Sequence, residues 1–308
     1  MKVLVTGGAG FIGSHVVEEL LLKGYQVSVV DNLITGKKEN LPNGVTFYKV
    51  DIRDNLNQIF EKENPDYVIH MAAQVSVSHS ISKPVYDGEQ NILATINVLK
   101  ACVQYKVKKI IFASTAAVYG EPHYLPIDEK HEWKPISFYG LSKLNAESYI
   151  KMFSELYALN YTILRYANVY GMRQDAHGEA GVVAIFIEKI MKGDRPTIFG
   201  DGLQTRDFIF VKDVAKANVA ALENGDDMVF NVSTEKKTSV VEIIDEMAKA
   251  FNKEIFPQFT EEREGDIRDS YLSNKITTSE LGWEPMYTLS EGLHDTISYY
   301  KNIAVEII

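Results

Sequence analysis

The sequence predicts an α/β protein, a doubly wound parallel sheet with a smaller, mostly helical lobe beside it. Three observations carry that expectation. Short β-rich runs alternate with helical patterns through the first half of the chain. A glycine-rich turn, Gly7-Gly8-Ala9-Gly10, separates the first run from the first helical pattern. After Gly171 the alternation loosens into a helix-rich remainder. The chain has 308 residues, above the size at which one core usually stops growing, so two lobes are expected.

Taken in order, residues 2–6 form an apolar run suited to a buried strand, and Ile12, Val16 and Leu20 recur every four residues over a helix at 12–23. Further β-rich runs lie at 26–30, 46–50, 67–71, 109–114 and 161–166, with helical patterns at 91–105 and 139–159. Beyond Gly171 come a helix at 182–192, a short run at 197–200, a helix at 213–223 and a strand at 229–233. The last stretch is helical with one more strand at 255–259. No repeat, low-complexity tract or flexible linker interrupts the chain, so the lobes should interleave. Residues 1–168, together with about 206–235, are assigned to the first domain and 169–308 to the second.

Composition removes several classes of function. The chain is 45% hydrophobic and 24% charged, with no apolar stretch near the roughly 18 to 20 residues of a membrane span. A formal charge of −10 and the lack of any Lys/Arg cluster argue against nucleic-acid and membrane partners. The first strand begins at once, which leaves no room for a signal peptide. Cys102, the single cysteine, lies among apolar helical positions and reads as a small buried hydrophobe in a reducing cytoplasm. His70 ends a strand, and His123, His131 and His177 lie in loops without metal-ligand spacing, so no metal is expected.

The glycine turn parses as GxxGxxG (Gly7, Gly10, Gly13) or GxGxxG (Gly8, Gly10, Gly13). Either parse lets bare backbone N–H groups and a helix N-terminus meet a pyrophosphate, as in a Rossmann-type fold. Asp31 ends the second run 18 residues after Gly13, near the spacing at which a carboxylate takes the adenosine ribose hydroxyls. A carboxylate there repels a 2′-phosphate, which favours NAD over NADP. Asp51 and Ile52 follow the third run and could reach the adenine edge; Ala72 and Ala73, after the fourth, allow a close approach to the cofactor.

In the stretch Tyr139-Gly-Leu-Ser-Lys143 the phenol and the ammonium lie four apart, on one face of a helix. A phenolate near pH 7 needs a shift of about three units, roughly 4 kcal/mol. A cation about 4 Å away supplies that order at an effective dielectric of about 20. Thr115 ends the fifth run at the carboxyl edge of the sheet, where ligands bind in open α/β folds.

TGGAGFIG, Asp31, Asp51-Ile52, the Ser114-Thr115 strand end and Tyr139/Lys143 together resemble the extended short-chain dehydrogenase/reductase family, from Met1 to about Tyr300. DNLITGKKEN, MAAQVSVSHS, LRYANVYGMRQD, GDGLQTRDFIFVKDV and REGDIRDSYLSN are similar to the nucleotide-sugar 4-epimerase branch of that family. The resemblance implies a bound NAD and inversion of C4 of a UDP-hexose, UDP-glucose or UDP-galactose, through a 4-keto sugar, with Thr115, Tyr139 and Lys143 catalytic. For the cofactor it implies Gly7, Gly10, Phe11, Ile12, Gly13, Asp31, Asn32, Gly36, Asp51, Ile52, Ala72, Ala73, Gln74, Asn91, Tyr139, Lys143 and Tyr166. For the substrate it implies Ser76, Thr115, Tyr139, Asn168, Val182, Val183, Thr197, Phe199, Arg206, Arg263, Asp266 and Ser270. Arg206 and Arg263 would clamp the diphosphate, Phe199 would contact uracil, and Ser270 stands where a larger residue would wall off the sugar C2 side. A serine there leaves room for UDP-GlcNAc or UDP-GalNAc.

Other members of the family act as UDP-glucuronate 4-epimerases, decarboxylases or 4,6-dehydratases. The dehydratases typically carry an Asp-Glu pair directly after the threonine. Ala116 and Ala117 stand there, and alanine does no acid–base chemistry. A dinucleotide sensor without turnover would usually lack Tyr139 or Lys143. A homodimer through a four-helix contact is also implied by the resemblance.

Overall fold

The computed structural model describes residues 1–176, 181–262 and 265–306. His177 and Arg263 lie outside these residues. In chain order the first half runs β1 (Lys2–Thr6), α1 (Phe11–Leu22), β2 (Gln26–Asp31), β3 (Thr46–Lys49), α2 (Asn57–Glu63), β4 (Tyr67–His70), α3 (Val77–Ser82), α4 (Pro84–Gly88), α5 (Ala94–Gln104), β5 (Lys109–Thr115), α6 (Phe138–Tyr157) and β6 (Asn160–Tyr166). The second half runs β7 (Asn168–Tyr170), α7 (Val182–Lys192), β8 (Thr197–Phe199), β9 (Thr205–Arg206), β10 (Phe208–Phe210), α8 (Val211–Ala220), β11 (Met228–Val232), β12 (Thr238–Ser239), α9 (Val240–Phe251), β13 (Gln258–Thr260) and α10 (Leu289–Glu306).

Seven strands form one parallel sheet in the order β11-β6-β5-β4-β1-β2-β3. The chain grows outward from β1 in one direction through β2 and β3, then returns to the other side with β4. A crevice therefore opens between the ends of β1 and β4, the switch point at which open α/β sheets bind ligands. Both faces of the sheet are covered, which is why its strands read as continuous apolar runs. One core packs Val16, Val17 and Leu20 of α1 and Val214 and Ala217 of α8 on the sheet. The other packs Phe60 of α2, Val98 and Cys102 of α5, and Ala146 and Ile150 of α6 on the opposite face. A third core, with Phe186 and Ile190 of α7, Ile243 and Met247 of α9, and Leu293 and Ile297 of α10, lies in the second half of the chain.

Some elements depart from the sequence reading, for local reasons. The helix expected at 91–105 is α5 preceded by a wide turn, Glu89–Leu93, of π-helical geometry. There the Thr95 hydroxyl donates to Asn91 O at 2.7 Å, and the Asn91 side chain is drawn off into other bonds. The strand expected at 255–259 begins only at Gln258, because Pro257 has no N–H to give the ladder and Arg195 takes the Phe256 and Pro257 carbonyls. Short α2, α3 and α4 were not expected. Helix α9 starts on a capping box, Ser239 with Glu242. No helix among the described residues is long and apolar enough to cross a membrane.

Candidate active site

The turn after β1 is set by two glycines. Gly7 has φ +70, and a Cβ on it would lie 2.6 Å from Ala72 N at the end of β4. A Cβ on Gly13 would lie 2.1 Å from Gly7 O. The chain can therefore fold back on itself and press α1 against the turn only without side chains at these positions. Gly10 caps α1 with no side-chain acceptor, which leaves the N–H groups of the first turn directed outward at the crevice. Phe11 and Ile12 in that turn pack against the third core.

At the end of β2, Asp31 Oδ2 accepts from Ala9 N at 3.0 Å and Oδ1 from Leu33 N at 2.8 Å. Burial holds its carboxyl above the usual range, with these two bonds pulling against it. Gly36 rests on the carboxylate, where a Cβ would lie 2.9 Å from Asp31 Oδ1. Asn32 Nδ2 donates to Asp51 Oδ2 at 2.9 Å. Arg53 also grips Asp51, at 2.9 and 3.0 Å, and drives its carboxyl down to about 2. Ile52 is buried.

Helix α6 begins on Ser137, whose hydroxyl accepts from Gly140 N at 3.1 Å. Its first turn lies so close to the turn after β5 that a Cβ on Gly140 would meet Ala117 O at 2.5 Å. This contact sets Tyr139 near Thr115, whose hydroxyl favours the ionised phenol. The Thr115 oxygen also accepts from Ala117 N at 3.2 Å. One turn on, Lys143 Nζ donates to Ala113 O at 2.8 Å and stands 4.6 Å from the centre of the Phe112 ring. Thr115, Tyr139 and Lys143 thus meet at the carboxyl edge of β5.

Their electrostatics differ from the sequence expectation. Burial pushes the Tyr139 phenol up to about 12; the Thr115 hydroxyl opposes the rise and the Asp87 charge adds to it. Burial also brings the Lys143 ammonium down to about 8, against the pull of Asp87 and Glu147. The ammonium is turned to Ala113 O and Phe112, so the protein alone keeps the phenol protonated.

Between this triad and the crevice lies a buried polar cluster. Gln74 N donates to Asn91 Oδ1 at 2.8 Å, and Asn91 Nδ2 donates to Gln74 O at 2.9 Å, Ser142 Oγ at 3.0 Å and Asp87 Oδ1 at 3.2 Å. His70 joins the ends of β1 and α5, its Nδ1 2.7 Å from Thr6 Oγ1 and its Nε2 3.0 Å from Thr95 Oγ1. Asp87, Ser142 and Phe112 were missed by sequence reasoning. Asp87 and Phe112 belong to no motif, and Ser142 is an unmarked position between Tyr139 and Lys143.

The other expected residues are spread over both halves of the chain. Ser76 caps α3, accepting from His79 N at 2.9 Å. Ala72 and Ala73 are half-buried directly after β4. Tyr166 gives its hydroxyl to Asn218 Oδ1 on α8, 2.9 Å away, and its ring belongs to the core on that face. Only its main chain is left to the sheet edge. Asn168 opens β7, exposed, with its N–H bonded to Asp207 O at 2.9 Å. Val182 and Val183 start α7 behind Gly181. Thr197 and Phe199 lie on β8. Arg206 on β9 donates to Asp266 Oδ1 at 2.5 Å, and Ser270 N bonds to Thr205 O at 3.1 Å, which holds half-buried Ser270 alongside β9.

Comparison with known proteins adds independent findings. A model of the NAD dependent epimerase/dehydratase family matches residues 3–233. The chain is similar to a putative UDP-glucose 4-epimerase of Methanocaldococcus jannaschii, at 48% identity over 302 residues, 97% of this chain and 98% of that protein. Among solved structures it is similar to a UDP-glucose 4-epimerase of Thermotoga maritima with UDP-glucose, at 45% identity and TM-score 0.96, covering 99% and 100% of the two chains. It is also similar to a UDP-N-acetylglucosamine 4-epimerase of Methanobrevibacter ruminantium M1 in complex with UDP-N-acetylmuramic acid, at 38% identity and TM-score 0.94, with 98% of each chain covered.

Proposed function

The chain belongs to the NAD dependent epimerase/dehydratase family, and from that premise we propose that it interconverts UDP-glucose and UDP-galactose by inverting C4 with NAD held in place. The observation that carries this reading is half-buried Tyr139 set near Thr115 at the sheet edge, with buried Lys143 one helical turn away.

The residues present fit the dinucleotide. Gly7, Gly13 and Gly36 let the backbone close where a Cβ would strike Ala72 N, Gly7 O or Asp31 Oδ1, and Asp31 ends β2 with a carboxylate suited to ribose hydroxyls. These residues, with Gly10, Phe11, Ile12, Asn32, Asp51, Ile52, Ala72, Ala73, Gln74, Asn91 and the Tyr166 main chain, would hold NAD. When bound, NAD supplies the hydride acceptor and donor for sugar C4.

Tyr139 takes the proton of the sugar 4-hydroxyl and gives a proton back to the C4 oxygen once the 4-keto sugar has turned over. Thr115, near the phenol, donates to the phenolate or to the sugar oxygen. From a resting state near pKa 12 the phenol needs added positive charge, which Lys143 supplies once its ammonium turns from Ala113 O toward it. Epimerisation needs the nucleotide held firmly and the sugar held loosely. Arg206 and Arg263 serve the diphosphate, Phe199 the uracil, and Ser76, Asn168, Val182, Val183, Thr197, Asp266 and Ser270 line the rest. Ala116 and Ala117 leave no acid at the position where elimination needs one, so the 4-keto sugar is returned to hydride transfer instead of losing water.

We assign the dinucleotide to residues 1–168 and about 206–235 and the sugar nucleotide to the remainder of 169–308. The small side chain of Ser270 extends the substrate range to UDP-GlcNAc and UDP-GalNAc, a reading supported by likeness to a UDP-N-acetylglucosamine 4-epimerase. The chain acts as a homodimer. On α6, Leu141, Tyr149, Met152 and Leu156 recur along the face opposite the core, all exposed, beside exposed Ile81 and Val85 of α3 and α4. Buried, unpaired Cys102 suits a cytoplasmic enzyme.

Incubation with UDP-galactose, followed by proton NMR of the anomeric region, tests the reading. UDP-glucose should accumulate to a constant ratio, approached from either sugar. No interconversion by NAD-loaded protein would overturn it.

A further inference from the structure

We propose that Glu147 is a positioning residue of this reaction: bonded at once to Ser114 on β5 and Arg165 on β6, it fixes the seat of α6 on the sheet and so the places of Tyr139 and Lys143. The proposal rests on the catalytic reading above and adds a residue to it.

Glu147 follows Lys143 by four residues, as Lys143 follows Tyr139, so the three lie along one face of α6. Its side chain is buried. Oε1 accepts from Ser114 Oγ at 2.6 Å and from Arg165 Nε at 3.0 Å, and Oε2 accepts from Arg165 Nη2 at 2.6 Å. Ser114 stands between Ala113, whose carbonyl takes the Lys143 ammonium, and Thr115. Two successive turns of α6 are thus tied to successive residues of β5, Lys143 to Ala113 and Glu147 to Ser114.

Arg165 gives this anchor a rigid partner. It is wholly buried, and its Nη1 donates to the Tyr119 hydroxyl at 3.0 Å, which donates in turn to Asn231 Oδ1 on β11 at 2.7 Å. The guanidinium also lies 4.9 Å from the centre of the Tyr119 ring and 5.3 Å from that of Trp133. Held on these sides, it cannot follow a helix that moves.

Stability alone does not account for the pair. Burying two charges costs about as much as their attraction gains, and well-packed apolar residues would serve as well. A charge-assisted, two-pronged bond adds direction, because it holds only over a narrow range of distance and angle. The start of α6 is held by the close approach of Gly140 to Ala117 O and by the Asn91–Ser142 bond, both on residues before Lys143. A helix fixed only there can still tilt about that end. Ala146 and Ile150 pack into the core beneath, and such apolar contacts resist separation more than sliding. Glu147 supplies the directional contact beyond Lys143, seven residues after Gly140 and about 10 Å further along the axis.

Glu147→Asp keeps the charge felt by Lys143 but shortens the arm by one methylene, so α6 must shift or give up Ser114. With UDP-galactose, kcat per bound NAD should fall about 10- to 100-fold, the size of a misplacement near 1 Å, while KM and NAD content stay nearly constant. If that variant does not fold, Ser114→Ala takes its place, with kcat expected about 2- to 10-fold low at constant KM. Glu147→Leu strands the Arg165 charge and should lower Tm and kcat together. Glu147→Leu with Arg165→Met removes both charges, so Tm should recover most of its loss while kcat stays at least about 10-fold low. A role confined to stability requires kcat to return with Tm. That result overturns the proposal, as does an unaltered kcat in Glu147→Asp or a loss carried by KM. Hydrogen exchange of the 138–147 amides, followed by mass spectrometry, needs no sugar and should quicken in Glu147→Asp. Absence of interconversion by the unaltered protein overturns the reaction; unchanged exchange overturns the anchor.

Discussion

In the turn after β1 a Cβ on Gly13 would lie 2.1 Å from Gly7 O; in the second half of the chain, Arg206 is held by Asp266 Oδ1 at 2.5 Å, both side chains partly open to solvent. The first region is fixed by what the backbone can and cannot accommodate, with α1, β1 and β4 packed so closely that no side chain fits. The second is fixed by paired charges, Arg206 on β9 and Asp266 in the segment after β13, which can exchange partners. The difference suits an enzyme that keeps its dinucleotide and releases its sugar nucleotide. A steric fit holds without competing with water, whereas an exposed ion pair is worth little by itself and readily yields its cation to a diphosphate.

Four substitutions would break or sharpen this contrast. The largest effect falls between the two regions, at the chemistry. Tyr139→Phe should lower kcat for UDP-galactose about 10²- to 10⁴-fold, the range of a lost general acid–base group, while the nucleotide released on denaturation remains NAD in unchanged amount. Near-normal turnover in this variant would remove Tyr139 from its role.

Arg206→Ala should cost about 1.5 to 3 kcal/mol of substrate binding, seen as a KM raised roughly 10- to 150-fold with NAD content unaffected. A fall in NAD content would show that the two regions are not separable in this way. Ser270→Tyr should depress kcat/KM on UDP-GlcNAc about 5- to 150-fold relative to UDP-glucose, because overpacking costs typically 1 to 3 kcal/mol. Equal losses on both sugars would deny Ser270 any part in choosing between them.

The smallest effect is expected at Gly36→Ala. The new Cβ would lie 2.9 Å from Asp31 Oδ1, and a shift of a few tenths of an ångström relieves it. NAD should bind about 5-fold more weakly, near 1 kcal/mol, by fluorescence titration of protein freed of nucleotide, with KM for the sugar unchanged. A loss much larger than that would mean that Asp31 cannot move, and that the steric fit extends further round the ribose than the turn itself.

Sequence alone determined the parts that depend on local rules. The alternation of runs gave the parallel sheet, because strands covered on both faces must be apolar throughout. Glycines spaced 7, 10 and 13 gave the turn, because only that residue tolerates backbone at contact distance. The four-residue step from Tyr139 to Lys143 placed both on one helical face, because helical geometry is fixed by the chain itself. Only the tertiary structure decided what those two groups experience. The spacing implied a lysine that lowers the phenol; burial instead raises Tyr139 and turns the Lys143 ammonium to Ala113 O, since desolvation depends on everything packed around a group. It likewise decided that Asp87 is buried and bonded to Asn91, which also reaches Ser142 of α6. Nearest neighbours along the chain set helices, strands and turns. The charge state of a buried site is set by neighbours that are distant in sequence and near in space.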